Sequence, residues 1–228
     1  MFYFSPYWFF AIPGLLLGIY AQIRLSAAYG KYSEVENQAG LSGAEAAREI
    51  LDQAGLSNIS VQEIPGHLTD HFDPASKALF LSSENFRGRS IAAIGVAAHE
   101  TGHALQQQAA YALFNFRMML VPAFQFASYA WSGILVLGFF LGLIKPFIGI
   151  AVGIFAVITL FQVVTLPVEY DASRRAKQML LKLGLVQPAE SAAVNSVLGA
   201  AALTYVAAMV VSVLQLLELL AMARNDRR

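Results

Sequence analysis

Four long runs of this chain carry no charged side chain: residues 2–23, 118–144, 147–168 and about 194–217. A hydrocarbon layer of roughly 30 Å takes about 20 helical residues to cross, and within it each backbone amide must be satisfied inside its own segment. Runs of this length therefore point to membrane-spanning helices. The whole-chain composition agrees, because 57% hydrophobic and 13% charged residues lie far from a soluble average. We read a mainly α membrane protein with about four transmembrane helices. The first covers residues 2–23; no Lys or Arg precedes it as a signal n-region, so it reads as uncleaved, with Tyr3, Tyr7 and Trp8 suited to an interfacial belt. Residues 118–168, interrupted by Lys145-Pro146, form a transmembrane hairpin, and 194–220 the last span. Gly138 and Gly142, and Gly149 and Gly153, have the spacing that lets membrane helices approach closely.

Between these spans the chain carries a small domain at 24–117. Ser42-Gly43-Ala44-Glu45 is a capping-box pattern, and Gly55 follows the helix it opens as a C-cap. Ile59–Ile64 alternates as a short strand, Pro65-Gly66 turns, and Lys77–Leu81 resumes extended structure, giving a compact α+β unit. The loop between the strands, Gly66 to Pro74, holds His67 and His71. It reads either as a loop beside a functional site or as a polar loop whose Asp and Pro make turns. The strand after it offers an edge where a peptide can add by β-augmentation.

Residues 90–108 contain His99-Glu100-Thr101-Gly102-His103, an H-E-x-x-H pattern. Helical residues four apart lie on one face, so His99 and His103 can aim two imidazoles at one point. Zinc accepts imidazole nitrogen and, in catalytic sites, keeps one position open for water, which the carboxylate of Glu100 can reach without ligating the metal. Ala92, Ala93, Ala97, Ala98 and Ala104 favour the helix, whose expected end is near Arg117. With no cysteine in the chain, disulfides, thiolate ligands and cysteine nucleophiles are excluded, leaving histidine and carboxylate as ligands. A formal net charge of zero gives nothing that points to nucleic acid.

Charge returns abruptly at Glu169-Tyr170-Asp171-Ala172-Ser173-Arg174-Arg175, which opens a helix assigned to 169–190. If 118–144 and 147–168 both cross the bilayer, Glu169 emerges on the side of His99 and His103; one span instead of two separates them. Arg24, Lys31, Arg117, Arg174, Arg175, Lys177 and Lys182 flank that side, against Lys145 and the tail arginines on the other. By the positive-inside rule the domain is expected in the cytoplasm.

Three stretches carry a family resemblance: Leu68 to Pro74, Ser90 to Gln106, and Leu166 to Ala176. In these the chain resembles the membrane-bound YugP-type neutral zinc metallopeptidases, bacterial proteins of the gluzincin class. The resemblance implies a gluzincin-like zinc domain in a bacterial inner (cell) membrane, one zinc per chain, His99 and His103 as ligands, Glu100 as general base and Glu169 as third ligand. The broader gluzincin pattern has Asp four residues after the ligand Glu, where this chain has Ser173. The residue orienting a ligating histidine is therefore open among Asp171, Ser173 and others. Glu169 has an alternative reading too, as a favourable charge at the start of the following helix.

The expected chemistry is hydrolysis of peptide bonds by zinc-activated water, in a peptide or membrane-protein substrate met at the lipid bilayer. His67, His71 and Tyr170 are candidates for stabilising the oxyanion. A catalytically inactive zinc-binding membrane scaffold or adaptor is the alternative. A metal transporter fits less well, since the apolar runs hold Gln125, Gln162, Asn195 and Gln215 but no ionisable group.

Overall fold

The computed structural model describes residues 8–141 and 147–226. Its elements follow as α1 (Ala11–Ser33, after a 3₁₀ turn at Trp8–Phe10), α2 (Gly43–Gln53), β1 (Ser60–Ile64), β2 (His71–Asp73), β3 (Ala78–Ser82), α3 (Ser83–Arg87), α4 (Ile91–Gln108), α5 (Ala112–Leu141), α6 (Ile148–Lys182) and α7 (Ser191–Asp226). Four of them, α1, α5, α6 and α7, contain stretches long and apolar enough to cross a membrane. With one small sheet among the described residues, this is a mainly α membrane protein carrying a small α+β domain. Two compact units divide the chain: one holds the residues up to Gln22, Phe116–Pro167 and those from Thr204 on, the other Ile23–Asn115 and Val168–Leu203.

The first unit exposes large apolar side chains. Met119, Phe126 and Tyr129 are exposed, an arrangement unfavourable in water and neutral against lipid chains. Its inner contacts are aromatic: Phe124 stacks on Phe161 at 4.1 Å between ring centres, and Trp131 meets Phe155 edge-on at 4.7 Å. Thr159 Oγ1 donates to the Ser212 carbonyl, satisfying a hydroxyl within apolar surroundings. Close approach occurs at Gly14, where a Cβ would lie 3.0 Å from Val211 Cγ2. Gly149 and Gly153 meet nothing within 4 Å, so their spacing is not used for close packing among the described residues. Gly142, the Lys145-Pro146 turn, Tyr3 and Tyr7 lie outside the described residues.

The second unit is the α+β domain. Ser42 accepts from the Glu45 N–H while Glu45 accepts from the Ser42 N–H, the reciprocal capping box that starts α2. One face of α2 buries Ala46 and Ile50 against Ile91, Ile94 and Ala98 of α4; Ala47 and Leu51 turn to Leu79 and Leu81 of the sheet. β3 is the central strand, parallel to β1 and antiparallel to β2. Being flanked on both sides, it offers no edge; the edges are β1 and β2. β2 is an addition to the sequence reading, which assigned a loop there, and its three residues are too few for a periodic signal.

The segment before β2 is tied down by a buried polar network. Asp70 accepts from the Ser82 N–H at 2.9 Å, the Ser82 hydroxyl at 3.0 Å and the Asn85 amide at 2.8 Å. Asn85 Oδ1 in turn accepts from the Tyr29 hydroxyl of α1 at 2.8 Å. Asp73 accepts from the Ala75 N–H and the Ser76 hydroxyl in the next turn, and the Ser76 contact holds its carboxyl below the usual range. Asp70 and Asp73 of the 68–74 stretch therefore have structural work in closing this loop.

Helix boundaries differ from expectation in α1 and α6. α1 runs past Ile23 to Ser33, because Ala27 and Ala28 continue helical preference after the apolar run ends. α6 is continuous through Glu169, so no helix begins there and the reading of Glu169 as a charge at a helix start is overturned. In both places polarity changes without a helix stop signal.

Ser82 and Asn85 have no exposed surface, so removing their shared acceptor leaves buried donors unmatched. Asp70→Ala is expected to lower stability by roughly 1–3 kcal/mol, read as a lower unfolding midpoint in detergent. An unchanged midpoint would contradict the network's role.

Candidate metal centre

The candidate metal centre is assembled on two helix faces of the α+β domain. Ser90 caps α4, its hydroxyl accepting from the Ala93 N–H at 3.1 Å. His99, Gly102, His103 and Gln106 are spaced i, i+3, i+4 and i+7, one stripe of the helix. On α6, Glu169, Ala172 and Ser173 form the matching stripe. The two stripes meet at Gly102, where a Cβ would stand 2.4 Å from the Ala172 carbonyl oxygen. Only a residue without a Cβ permits this backbone approach. α4 ends at Gln108 and not near Arg117: the chain turns through Ala109 and Ala110, the latter at φ 49°. Neither alanine announces a stop, and left-handed backbone without glycine leaves no sequence mark.

At the crossing His99 Nε2 lies 3.1 Å and His103 Nε2 3.5 Å from one oxygen, Oε2 of Glu169. The three side chains place their ligand atoms within 4.8 Å of one another. Two imidazoles and a carboxylate are the donor set of a catalytic zinc site with one open position. Ligand atoms about 2.0–2.1 Å from a common tetrahedral centre are roughly 3.3 Å apart, and the two observed separations bracket that value. The residues present therefore fit zinc. Glu169 is 1% exposed, a depth at which a carboxylate requires compensating charge or a cation.

Beyond the three, each imidazole has a second anchor. His99 Nδ1 is 3.0 Å from Ser173 Oγ, and His103 Nδ1 is 3.0 Å from Gln106 Oε1. Ser173, in the position where the broader pattern has Asp, takes up His99; Asp171 reaches the site indirectly, accepting from Gln106 Nε2 at 3.0 Å and pairing with Arg174 and Arg175. Glu100 follows His99 on α4, is 9% exposed, and has no hydrogen-bond or ion-pair partner among the described residues. His67 pairs with Glu84 and sits edge-on to Tyr29, His71 stacks on Phe80, and Tyr170 is half exposed. None of these three joins the ligand cluster among the described residues. Gln106 escaped the sequence reading because it opens a Gln-Gln-Gln run resembling a solvated helix face. Its position three residues after His103 was the available signal.

The chain matches the family model described as "Putative neutral zinc metallopeptidase" over residues 7–224. A relative from Bacillus subtilis, "Putative membrane protease YugP", is 43% identical over 219 residues, covering 96% of this chain and 97% of its own. No solved structure matches.

Gly102→Ala tests the crossing. Its methyl group must push α4 from α6, and the account predicts loss of zinc binding, measured by metal analysis after dialysis, at a destabilisation of about 1–3 kcal/mol. Full zinc retention would show that the close approach is dispensable.

Proposed function

From the premise that this chain belongs to the neutral zinc metallopeptidase family, we propose that it is a membrane metalloendopeptidase holding one zinc per chain through His99, His103 and Glu169. The observation that carries this reading is the convergence of two imidazole nitrogens on one buried carboxylate oxygen, at 3.1 and 3.5 Å.

When bound, zinc supplies a Lewis acid that brings water ionisation towards neutral pH and stabilises negative charge on an attacked carbonyl. The protein's own contribution begins with Glu100. Its carboxylate, committed to no other described side chain, accepts a proton from the attacking water and delivers it to the departing amine nitrogen. Both helix stripes serve to orient. Ser173 and Gln106 hold the rings of His99 and His103, and Glu169 contributes the charge that makes the donor set suit a divalent cation.

The four apolar helices support a multi-pass arrangement in the bacterial cell membrane. The excess of Lys and Arg at Arg24, Lys31, Arg117, Arg174, Arg175, Lys177 and Lys182 supports a cytoplasmic active site. The substrate class we assign is peptides or membrane-protein segments at the bilayer, with no role for nucleic acid.

The test is cleavage of an unstructured protein such as casein by detergent-purified protein, with and without a chelator, beside the Glu100→Gln variant. We expect chelator-sensitive cleavage in the wild type and a loss of roughly 10²–10⁴-fold in the variant, with its zinc retained. A variant as active as the parent removes Glu100 from the mechanism. A zinc-loaded wild type that cleaves nothing favours the scaffold reading.

A further inference from the structure

Gln106 lies at this crossing with its amide oxygen and nitrogen both met by fixed partners, and it has no exposed surface. Its amide nitrogen donates to the Val168 carbonyl at 2.7 Å and to Asp171 Oδ2 at 3.0 Å. Both partners are acceptors only. Reversing the amide would set its oxygen against a carbonyl and a carboxylate together, so the partners decide which end is which. The oxygen must then face His103 Nδ1, 3.0 Å away. An amide oxygen cannot donate, so Nδ1 carries the proton and the lone pair of the neutral ring lies on Nε2, the atom facing Glu169.

His99 lacks this constraint. Its Nδ1 faces the hydroxyl of Ser173, which can donate or accept, so the Ser173 contact does not by itself set the tautomer of that ring. The two histidines are thus held by unlike devices. Asp171, the far end of the His103 device, is itself fixed by Arg174 and Arg175, and the Arg175 guanidinium lies over the Tyr111 ring, 5.8 Å from its centre.

We propose that Gln106 is a positioning residue for the second histidine: oriented by Asp171 and the Val168 carbonyl, its amide locks His103 as the Nδ1–H tautomer with Nε2 ready to ligate. The zinc side of this inference rests on the metallopeptidase reading; the tautomer side stands on the hydrogen bonds alone. Partners of this kind contribute about ten- to hundred-fold to metal affinity.

The experiment joins two readouts on the full-length protein. The chain has four histidines, so histidine-labelled protein gives four ring systems whose nitrogen shifts report tautomer by NMR. In metal-free wild type at alkaline pH, His103 is expected with Nδ1 protonated and Nε2 bare, and Gln106→Leu should abolish that preference. Zinc affinity, measured by competition with a chromophoric chelator, should fall by about ten- to hundred-fold in the same variant. Gln106→Glu alone sets two carboxylates together and should also bind zinc weakly. Adding Asp171→Asn relieves only the clash between the two carboxylates, since the Val168 carbonyl still faces an oxygen, so the pair should recover no more than part of the affinity. Gln106→Glu carries the test should Gln106→Leu fail to fold, and a zinc affinity and His103 tautomer unchanged in it would overturn the proposal. So would an unchanged His103 tautomer and zinc affinity in a folded Gln106→Leu protein. A wild type that binds no zinc yet shows the predicted tautomer change would sink the peptidase reading and leave this inference standing.

Discussion

The contact between the backbones of α4 and α6 at Gly102 and Ala172 governs the rest of the site. A Cβ at position 102 would stand 2.4 Å from a carbonyl oxygen, so the helices lie closer than side chains ordinarily allow. That closeness brings a carboxylate 70 residues downstream within 3.1 Å of His99. It also lets the short side chain of Ser173 reach His99 and the amide of Gln106 reach a backbone carbonyl of α6. A wider crossing would leave each of these groups buried and short of a partner, a cost of about 1–3 kcal/mol apiece.

Around that crossing the α+β domain is built to hold α4 still. α2 packs Ala46 and Ile50 along one side of it, and the sheet supports Ala97 and Ala104 through Leu79 and Leu81. Small residues on α4 let these layers come near, while His99, His103 and Gln106 gather on the face turned to α6. The Asp70 network does the same for the sheet, linking Ser82 and Asn85 to Tyr29 of α1. Rigid supports of this kind suit a site whose ligands must converge on one atom-sized volume.

Much of this was legible in the sequence. The His99 to His103 spacing fixes a shared helix face whatever the tertiary fold, and the uncharged runs mark the membrane helices by length alone. Ser42 and Glu45 announced α2 through a local rule that needs no distant partner. What escaped was set by tertiary contact or by unmarked backbone. Ala110 ends the helix region with positive φ and no glycine; β2 is stabilised only by pairing with β3; α1 and α6 continue where polarity, but not helical preference, changes. Gly149 and Gly153 show the converse, a favourable spacing unused for close packing among the described residues, while of Gly14 and Gly18, spaced alike, only Gly14 makes a close contact. Gln106 was hidden by its neighbours: three consecutive glutamines look alike until the partner helix singles out one.

The account's central claim is that His99, His103 and Glu169 hold a single zinc. X-ray absorption at the zinc edge of the purified protein, with metal content measured alongside, tests this most directly. The account predicts one zinc per chain, with two imidazoles and oxygen ligands at about 2.0–2.2 Å, and loss of that signature in Glu169→Ala. Purified protein that takes up no zinc, or zinc whose imidazole signature survives unchanged in Glu169→Ala, would contradict it.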